Sequence, residues 1–318
     1  MQEVDVISEI LKAVRLSAHV FGRFELSAPW GMRVPREDQF SFYVVADGAA
    51  WLGVEEEGEV WECTLGAGDV VVLPRGSTHE LRDPSRSVVH VREVGRGECP
   101  RPTGPAPMRF GGGGAVTTFV GGAFRFGSPA RSVILESLPP VLHARAGGEA
   151  MTPALEATAR LILEESARPG PGSGIVSARL AEILLIQLLR ARAASSLCTE
   201  SGMKALLDPV IGEALRLIHG RPEEPWTVER LARAVRQSRS AFAARFTELV
   251  GEPPFQYLTR WRMTRAAELL REGGVGVKAV AERVGYRSPA SFMKAFTRVH
   301  GIGPGAYRRA ARAKQEAS

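Results

Sequence analysis

Six histidines and three cysteines are the residues of this 318-residue chain best suited to metal or nucleophilic chemistry. Their spacing supports neither. Cys63, Cys99 and Cys198 are odd in number and far apart, so they form no metal spacing and no disulfide framework, which points to a reducing cytoplasm. No His-x-His occurs, whereas a catalytic metal needs several ligands converging on one point. His79 ends the run Gly68-x5-Pro74-x-Gly76-x2-His79, and nothing in the spacing of His19 or His90 argues that they join it. No metal, cofactor or catalytic residue is therefore assigned. Two Arg-x3-Arg pairs, Arg82 with Arg86 and Arg92 with Arg96, carry guanidinium forks able to clamp an anionic ligand such as a cyclic dinucleotide. The alternative is ordinary surface pairing with Asp83 and Glu93.

Charge distribution is more informative than any of these. The formal net charge is +6, yet from Glu213 onward there are 20 Lys+Arg against 10 Asp+Glu, while the remainder has 21 against 25. The last third is thus +10 and the rest −4, the footprint expected when one domain meets a polyanion and the other does not. The length suits about two domains. The longest apolar stretch, Ile183 to Leu189, is interrupted by Gln187 and is too short to span a bilayer, and Met1 to Arg15 lacks the features of a signal peptide.

The basic third repeats itself. Sliding the sequence by 50 residues places Phe242, Phe246, Gly251, Pro254 and Tyr257 on Phe292, Phe296, Gly301, Pro304 and Tyr307. Upstream, Leu231, Ala232 and Val235 match Val280, Ala281 and Val284 at a shift of 49. Each copy reads as helix, tight turn, helix: Thr227 caps Val228 to Val235 and Ser238 caps a helix from Arg239 to about Val250. In the second copy Lys278 to Val284 precedes Gly285, and Ser288 caps Pro289 to Val299. A long helix, Phe255 to Arg271, joins the copies. This is a helix-turn-helix arrangement, whose second helix enters the DNA major groove.

Helical spacing turns Phe242 with Phe246, and Phe292 with Phe296, toward a core. The opposite faces then present Ser240, Ala243, Ala244 and Thr247 in the first copy, and Ala290, Met293, Lys294 and Thr297 in the second. With the helix starts Ser238, Arg239, Ser288 and Pro289 they form the expected DNA-binding set. Small residues allow contact with thymine methyls, and Lys294 could bond guanine or a phosphate. Arg239, Arg245, Arg260, Arg262, Arg287 and Arg298 are expected to meet phosphates.

Together, Trp226-Thr-Val-Glu-Arg-Leu-Ala, Ser238-Arg-Ser-Ala-Phe, Tyr257-Leu-Thr-Arg-Trp-Arg-Met, Val284-Gly-Tyr and Gly303-Pro-Gly-Ala-Tyr-Arg-Arg closely resemble the DNA-binding domain of AraC/XylS-type transcription regulators. Two departures stand out. Arg236-Gln237 occupies a turn where that family usually has glycine or another small residue followed by an apolar one, so a strained or re-aimed turn is expected there. Ala244 stands where relatives often carry arginine.

The first 130 residues read as β-rich, with short runs such as Phe42 to Ala46, Trp51 to Val54, Val60 to Thr64, Asp69 to Leu73 and Val88 to Val94 and last strands at Val116 to Phe126, a pattern that suggests a small sandwich or barrel. Gly97 to Gly114, dense in Pro and Gly, reads as a mobile excursion. The His79 run resembles the second motif of cupin barrels, which implies that the histidine is aimed inward. Tyr43 falls where the first motif's leading histidine would align, so a metal-dependent cupin oxygenase or isomerase is the alternative and a binding pocket lined by Trp30, Tyr43, Trp51 and His79 the preferred reading. These aromatics could equally just fill the barrel.

From Ser132 the texture turns helical. Thr152-Pro153 starts a helix to Glu165, and Val176 to Arg192 forms a second that is apolar nearly all round, its far side covered either by its own domain or by another subunit. The expected fold is α+β with two domains: a cupin-like β-barrel with a helical hairpin, and an all-α domain with two helix-turn-helix units. The expected boundaries are 1–131 for the sensor barrel, 132–207 for the hairpin and linker, and 208–318 for the DNA-binding domain. Expected partners are a double-stranded DNA operator, a second copy of the chain, an unidentified small-molecule effector and, as a further candidate, RNA polymerase. No membrane partner is expected.

Overall fold

The structure, a computed structural model, describes residues 16–37, 39–56, 58–86, 91–94, 106–126, 138–194, 204–205 and 208–316. It separates into two compact units, one holding Leu16–Phe126 with the segment from Leu138 through the hairpin, the other the helices beyond.

In the first unit the strands are β1 (Leu16–Ser27), β2 (Gly31–Val34), β3 (Phe40–Asp47), β4 (Ala49–Glu56), β5 (Glu59–Gly66), β6 (Val70–Val72), β7 (His79–Arg82), β8 (Arg92–Glu93), β9 (Met108–Gly111), β10 (Val116–Phe126) and β11 (Leu142–Ala144). They form a six-stranded sheet in the order β11-β6-β3-β10-β1-β9 and a five-stranded sheet in the order β5-β4-β7-β2-β8. The expected cupin-like β-rich domain is thus present, built from two sheets and not as a closed barrel. Consecutive strands β3 and β4 belong to different sheets, joined through Gly48 at φ +76°, and among the described residues no ladder runs round the whole circuit.

Alternation decides which side chains fill the core. Phe24, Leu26, Tyr43, Val45 and Phe119 from one sheet join Leu52, Val54, Leu65 and Leu81 from the other in a single buried cluster. Phe24 and Phe119 are direct cross-strand partners, and their rings stack at 4.9 Å.

Two expectations about loops change. The glycine run is not a loose excursion where it is described: β9 pairs in parallel with β1, and the amides of Gly112 and Gly114 bond the carbonyls of Ser27 and Ala28 at 2.9 and 2.7 Å. A Cβ on Gly114 would collide with the Ala28 carbonyl, so glycine is there for close approach. Residues 97–105 of that stretch lie outside the described residues, as do 88–90 of the expected strand Val88 to Val94. Beyond residue 132 the chain forms one more strand, β11, before any described helix. Asp69 fastens it, accepting from the Gly66 and Ala146 amides and pairing with His143 Nε2 at 2.9 Å. Burial raises the Asp69 pKa, but His143 and those two amides outweigh it and hold the carboxyl below its usual range.

The hairpin consists of α1 (Pro153–Ala167) and α2 (Ser173–Ala194). Thr152 Oγ1 accepts from Leu155 N at 3.2 Å and proline opens α1, as its sequence requires. Leu155, Ile162, Leu184 and Leu188 are buried, with α2 packed on α1 and β1. Not all of the apolar surface is covered: Ile175 is 72% exposed, and Leu161, Val176 and Ile183 are also exposed.

The second unit contains α3 (Pro209–Gly220), α4 (Val228–Ala234), α5 (Arg239–Val250), α6 (Pro254–Glu272), α7 (Val277–Arg283), α8 (Pro289–His300) and α9 (Pro304–Glu316). No helix among the described residues is long and apolar enough to cross a membrane.

Candidate nucleic-acid interface

Helices α4 and α5 form one helix-turn-helix, α7 and α8 the other. Ser238 Oγ accepts from Ala241 N at 3.2 Å to start α5, and Ser288 Oγ accepts from Ser291 N at 3.3 Å to start α8. Both helices end on a left-handed glycine, Gly251 or Gly301. The sequence repeat is also a packing repeat: Phe246 meets Tyr257 edge-on at 5.6 Å, and Phe296 meets Tyr307 edge-on at 5.5 Å. All four phenylalanines are fully buried.

With that frame fixed, the opposite faces are open to solvent. Ser238, Arg239, Ser240, Ala244 and Thr247 are exposed on α5 and Ala243 partly so; Ser288, Pro289, Ala290, Met293, Lys294 and Thr297 are exposed on α8. The Thr247 hydroxyl already donates to Ala243 O at 2.8 Å, which leaves its methyl and oxygen lone pairs for a partner.

Both turns use one backbone geometry. Arg236 adopts φ +56° and Gly285 φ +83°, and the amides of Gln237 and Tyr286 bond Ala232 O and Ala281 O at 2.8 and 2.9 Å. Arginine thus bears the left-handed strain expected from the sequence without re-aiming the turn. Only the second turn is also sterically closed, because a Cβ on Gly285 would lie 2.8 Å from Glu223 O and from Arg262 Nη2. Gly285→Ala should therefore lower stability by about 1–3 kcal/mol, whereas Arg236→Gly should stay within about 1 kcal/mol of the parent. Thermal unfolding of the two variants checks this; equal losses would refute the steric difference.

The arginines do not act as one set. Arg262, expected at a phosphate, is only 8% exposed and donates to the carbonyls of Pro222 and Glu224 at 2.8 and 2.7 Å, so that expectation is corrected. Arg239 pairs with Glu229 at 2.9 Å, and Arg260 Nε with Glu252 at 3.0 Å. Arg245 Nε bonds Asp208 at 2.9 Å. Burial raises the Asp208 pKa, but Arg245 and the Ile211 and Val210 amides that Asp208 caps hold it below its usual range. By contrast Arg287, Lys294 and Arg298 are exposed and form no ion pair with an acid among the described residues.

Sequence reasoning missed His219, which is buried in the last turn of α3. It stacks on Trp261 at 3.8 Å, and its Nε2 lies 2.7 Å from the Tyr257 hydroxyl. The signal was present, since Ile211, Leu215, Ile218 and His219 share one helical face.

In the first unit three of the four expected pocket residues, Trp30, Tyr43 and His79, face the buried interior and the fourth, Trp51, does not. His79 is buried between Tyr43, whose hydroxyl is 2.7 Å from Nε2, and the Ser77 carbonyl, 2.9 Å from Nδ1. Both ring nitrogens are thereby engaged, with the tyrosine phenol in the place expected of a ligating histidine. Trp30 is buried beside Phe119, and its indole N–H has no hydrogen-bond partner among the described residues. Trp51 is corrected: Ala50, Leu52 and Val54 point inward, so Trp51 lies on the outer face of its sheet, flat over Gly53. Arg86 stacks on it at 4.7 Å and pairs with Glu62 at 2.8 Å, while Arg82 pairs with Glu80 at 2.6 Å. Arg92 covers Phe110 at 4.8 Å. Asp83 instead holds the Trp30 amide, its Oδ2 3.2 Å away. The arginines thus have partners, as in the surface alternative, though the acids Arg82 and Arg86 meet are Glu80 and Glu62; Arg96 and His90 lie outside the described residues. His19 is exposed on β1, and burial pushes the Cys63 thiol up to about 12. Among the described residues no group of three or more His, Cys, Asp or Glu side chains could hold a metal.

Two helix-turn-helix units with solvent-open second helices, in a chain that also carries a β-rich domain, define the class of DNA-binding transcription regulators. A cupin family model matches residues 5–194, and a helix-turn-helix domain model matches residues 231–310. The chain belongs to the AraC-like transcription regulators. A Streptomyces antibioticus protein bearing that description is 34% identical over 310 residues, covering 96% of this chain and 99% of its own. A Streptomyces lividans protein so described is 33% identical over 309 residues, covering 96% and 98%. The HTH-type transcriptional regulator AlkR of Acinetobacter baylyi is 27% identical over 312 residues, covering 96% and 99%.

Proposed function

We propose that this regulator binds a specific operator as a homodimer in the cytoplasm and answers to a small molecule held in its cupin domain, without catalytic activity of its own. The observation that carries the reading is the pair of open faces: Ser240, Ala243, Ala244 and Thr247 on α5, and Ala290, Met293, Lys294 and Thr297 on α8. Ser238, Arg239, Ser288 and Pro289 position the helix starts on phosphates. The two helices enter successive major-groove faces about 34 Å apart.

Division of labour follows the chain: 1–131 senses, 132–207 dimerises and transmits, 208–318 binds DNA. The unpaired Trp30 N–H supports an effector with a hydrogen-bond acceptor, since a buried donor without a partner costs about 1–3 kcal/mol. Exposed Ile175, Val176 and Ile183 on α2 support a second copy as the covering partner. RNA polymerase is the partner such a chain meets once it sits at a promoter.

Selection of duplexes from a randomised library, followed by mobility shift, tests the reading. Wild type should prefer a defined sequence, and its affinity should fall roughly 10³-fold or more between 50 and 200 mM salt if six or more phosphates are contacted. Equal affinity for every duplex at matched salt would leave only a nonspecific DNA binder.

A further inference from the structure

The two helix-turn-helix units share α6, whose early residues pack on the first unit through Tyr257 and whose later residues Met263, Ala267 and Leu270 join Phe292 and Phe296 in the second. Ridge-and-groove packing sets crossing angles only as tendencies, with about 15–20° of scatter from one helix pair to another. A fixed polar contact away from the helix axis would narrow the choice for a given pair.

Arg262 makes such a contact. It projects from the middle of α6 into the junction between the units, where its Nε and Nη2 donate to the carbonyls of Pro222 and Glu224 in the loop leading to α4. Its guanidinium lies 5.8 Å from the Tyr286 ring, and Gly285 backs directly onto Arg262 and the Glu223 carbonyl. One planar cation thus bonds the approach to the first helix-turn-helix and abuts the turn of the second. Its donors are fixed in a plane, so the carbonyls must stay at set positions around it.

We infer that Arg262 is a positioning residue that sets the angle between α5 and α8, and through it the spacing of the two DNA subsites the chain accepts. The inference rests on the DNA-binding reading above. It predicts an effect on the geometry of recognition rather than on either recognition helix.

The test uses the full chain and the tightest duplex selected by wild type, together with versions that carry one or two extra base pairs between the subsites or only one intact subsite. Wild type should lose about tenfold or more on insertion. Arg262→Lys keeps the charge but loses the rigid planar fork that fixes the two carbonyls; it should bind single subsites within about twofold of wild type while losing most of the penalty for altered spacing. Circular dichroism verifies the fold. Should Arg262→Lys fail to fold, Gly285→Ala, which crowds the guanidinium from the other side, provides the same comparison. A folded variant with wild-type spacing preference, or one that loses single-subsite binding in step with the full site, overturns the inference. If wild type itself selects no sequence, the DNA-binding reading fails first, and the two failures are distinguishable.

Discussion

Phe296→Ala is expected to cost about 3–5 kcal/mol and to abolish recognition by the second helix-turn-helix. Its ring is fully buried, against Phe292 at 5.7 Å, His300 at 4.4 Å and Tyr307 at 5.5 Å, and it shares a core with Met263 and Ala267 of α6. Truncation removes both the transfer energy of the ring and the contacts of everything around the void. Small domains have only about 5–15 kcal/mol in total, so the loss is a large share of it. The repeat predicts the same for Phe246→Ala in the first helix-turn-helix. Met293→Ala is the control: on the same helix but exposed, it should change stability by no more than about 0.5 kcal/mol while altering DNA affinity. Urea unfolding of the full chain, paired with mobility shift, separates the two effects. A Phe296→Ala loss below about 1 kcal/mol would mean the packing repeat does not hold the unit together.

Acid should weaken the DNA-binding unit well before its carboxylates titrate. His219 is buried against Trp261 and Tyr257, and desolvation lowers its pKa from the ordinary 6.5 to about 3. The folded chain therefore holds the neutral ring while the unfolded chain takes up a proton below about 6.5. Stability from this residue is complete above that pH and falls as pH drops toward 3. Between pH 7 and 5 the loss should be about 2 kcal/mol. His219→Gln keeps a hydrogen-bonding partner for Tyr257 but cannot titrate, so its stability should be lower at pH 7 and nearly flat over the same interval. Thermal melts of both proteins at pH 5, 6 and 7 decide it; parallel curves would place the acid sensitivity elsewhere.

Much of the recognition surface was legible because it is local. The i, i+4 phenylalanines, the serine caps and the terminal glycines each act within one or two turns, so spacing alone assigns the inward and outward faces of α5 and α8. The stretch Val116 to Phe126 was also legible, read as strand after the glycines that precede it, and it forms the single strand β10. Trp51 was misplaced because an aromatic side chain does not declare which face of its strand it occupies. That is settled by the register with Arg82 and by Gly53, whose missing side chain makes room for the indole. β9 and β11 were missed since each is short and gains its order from a distant partner, β1 or β6.

By itself the sequence determined the duplication, its charge, its helix limits and the family, all properties of residue type at fixed short separation. The tertiary structure alone decided that the strands form two separate sheets, that Tyr43 and His79 close on each other, and that Arg262 serves a junction instead of a phosphate. Those outcomes depend on which carbonyls and rings arrive from 36 or 40 residues away. A guanidinium at helix midpoint reads as a surface charge until the chain brings Pro222 and Glu224 over it, because burial and partner are supplied by the fold and not by the residue.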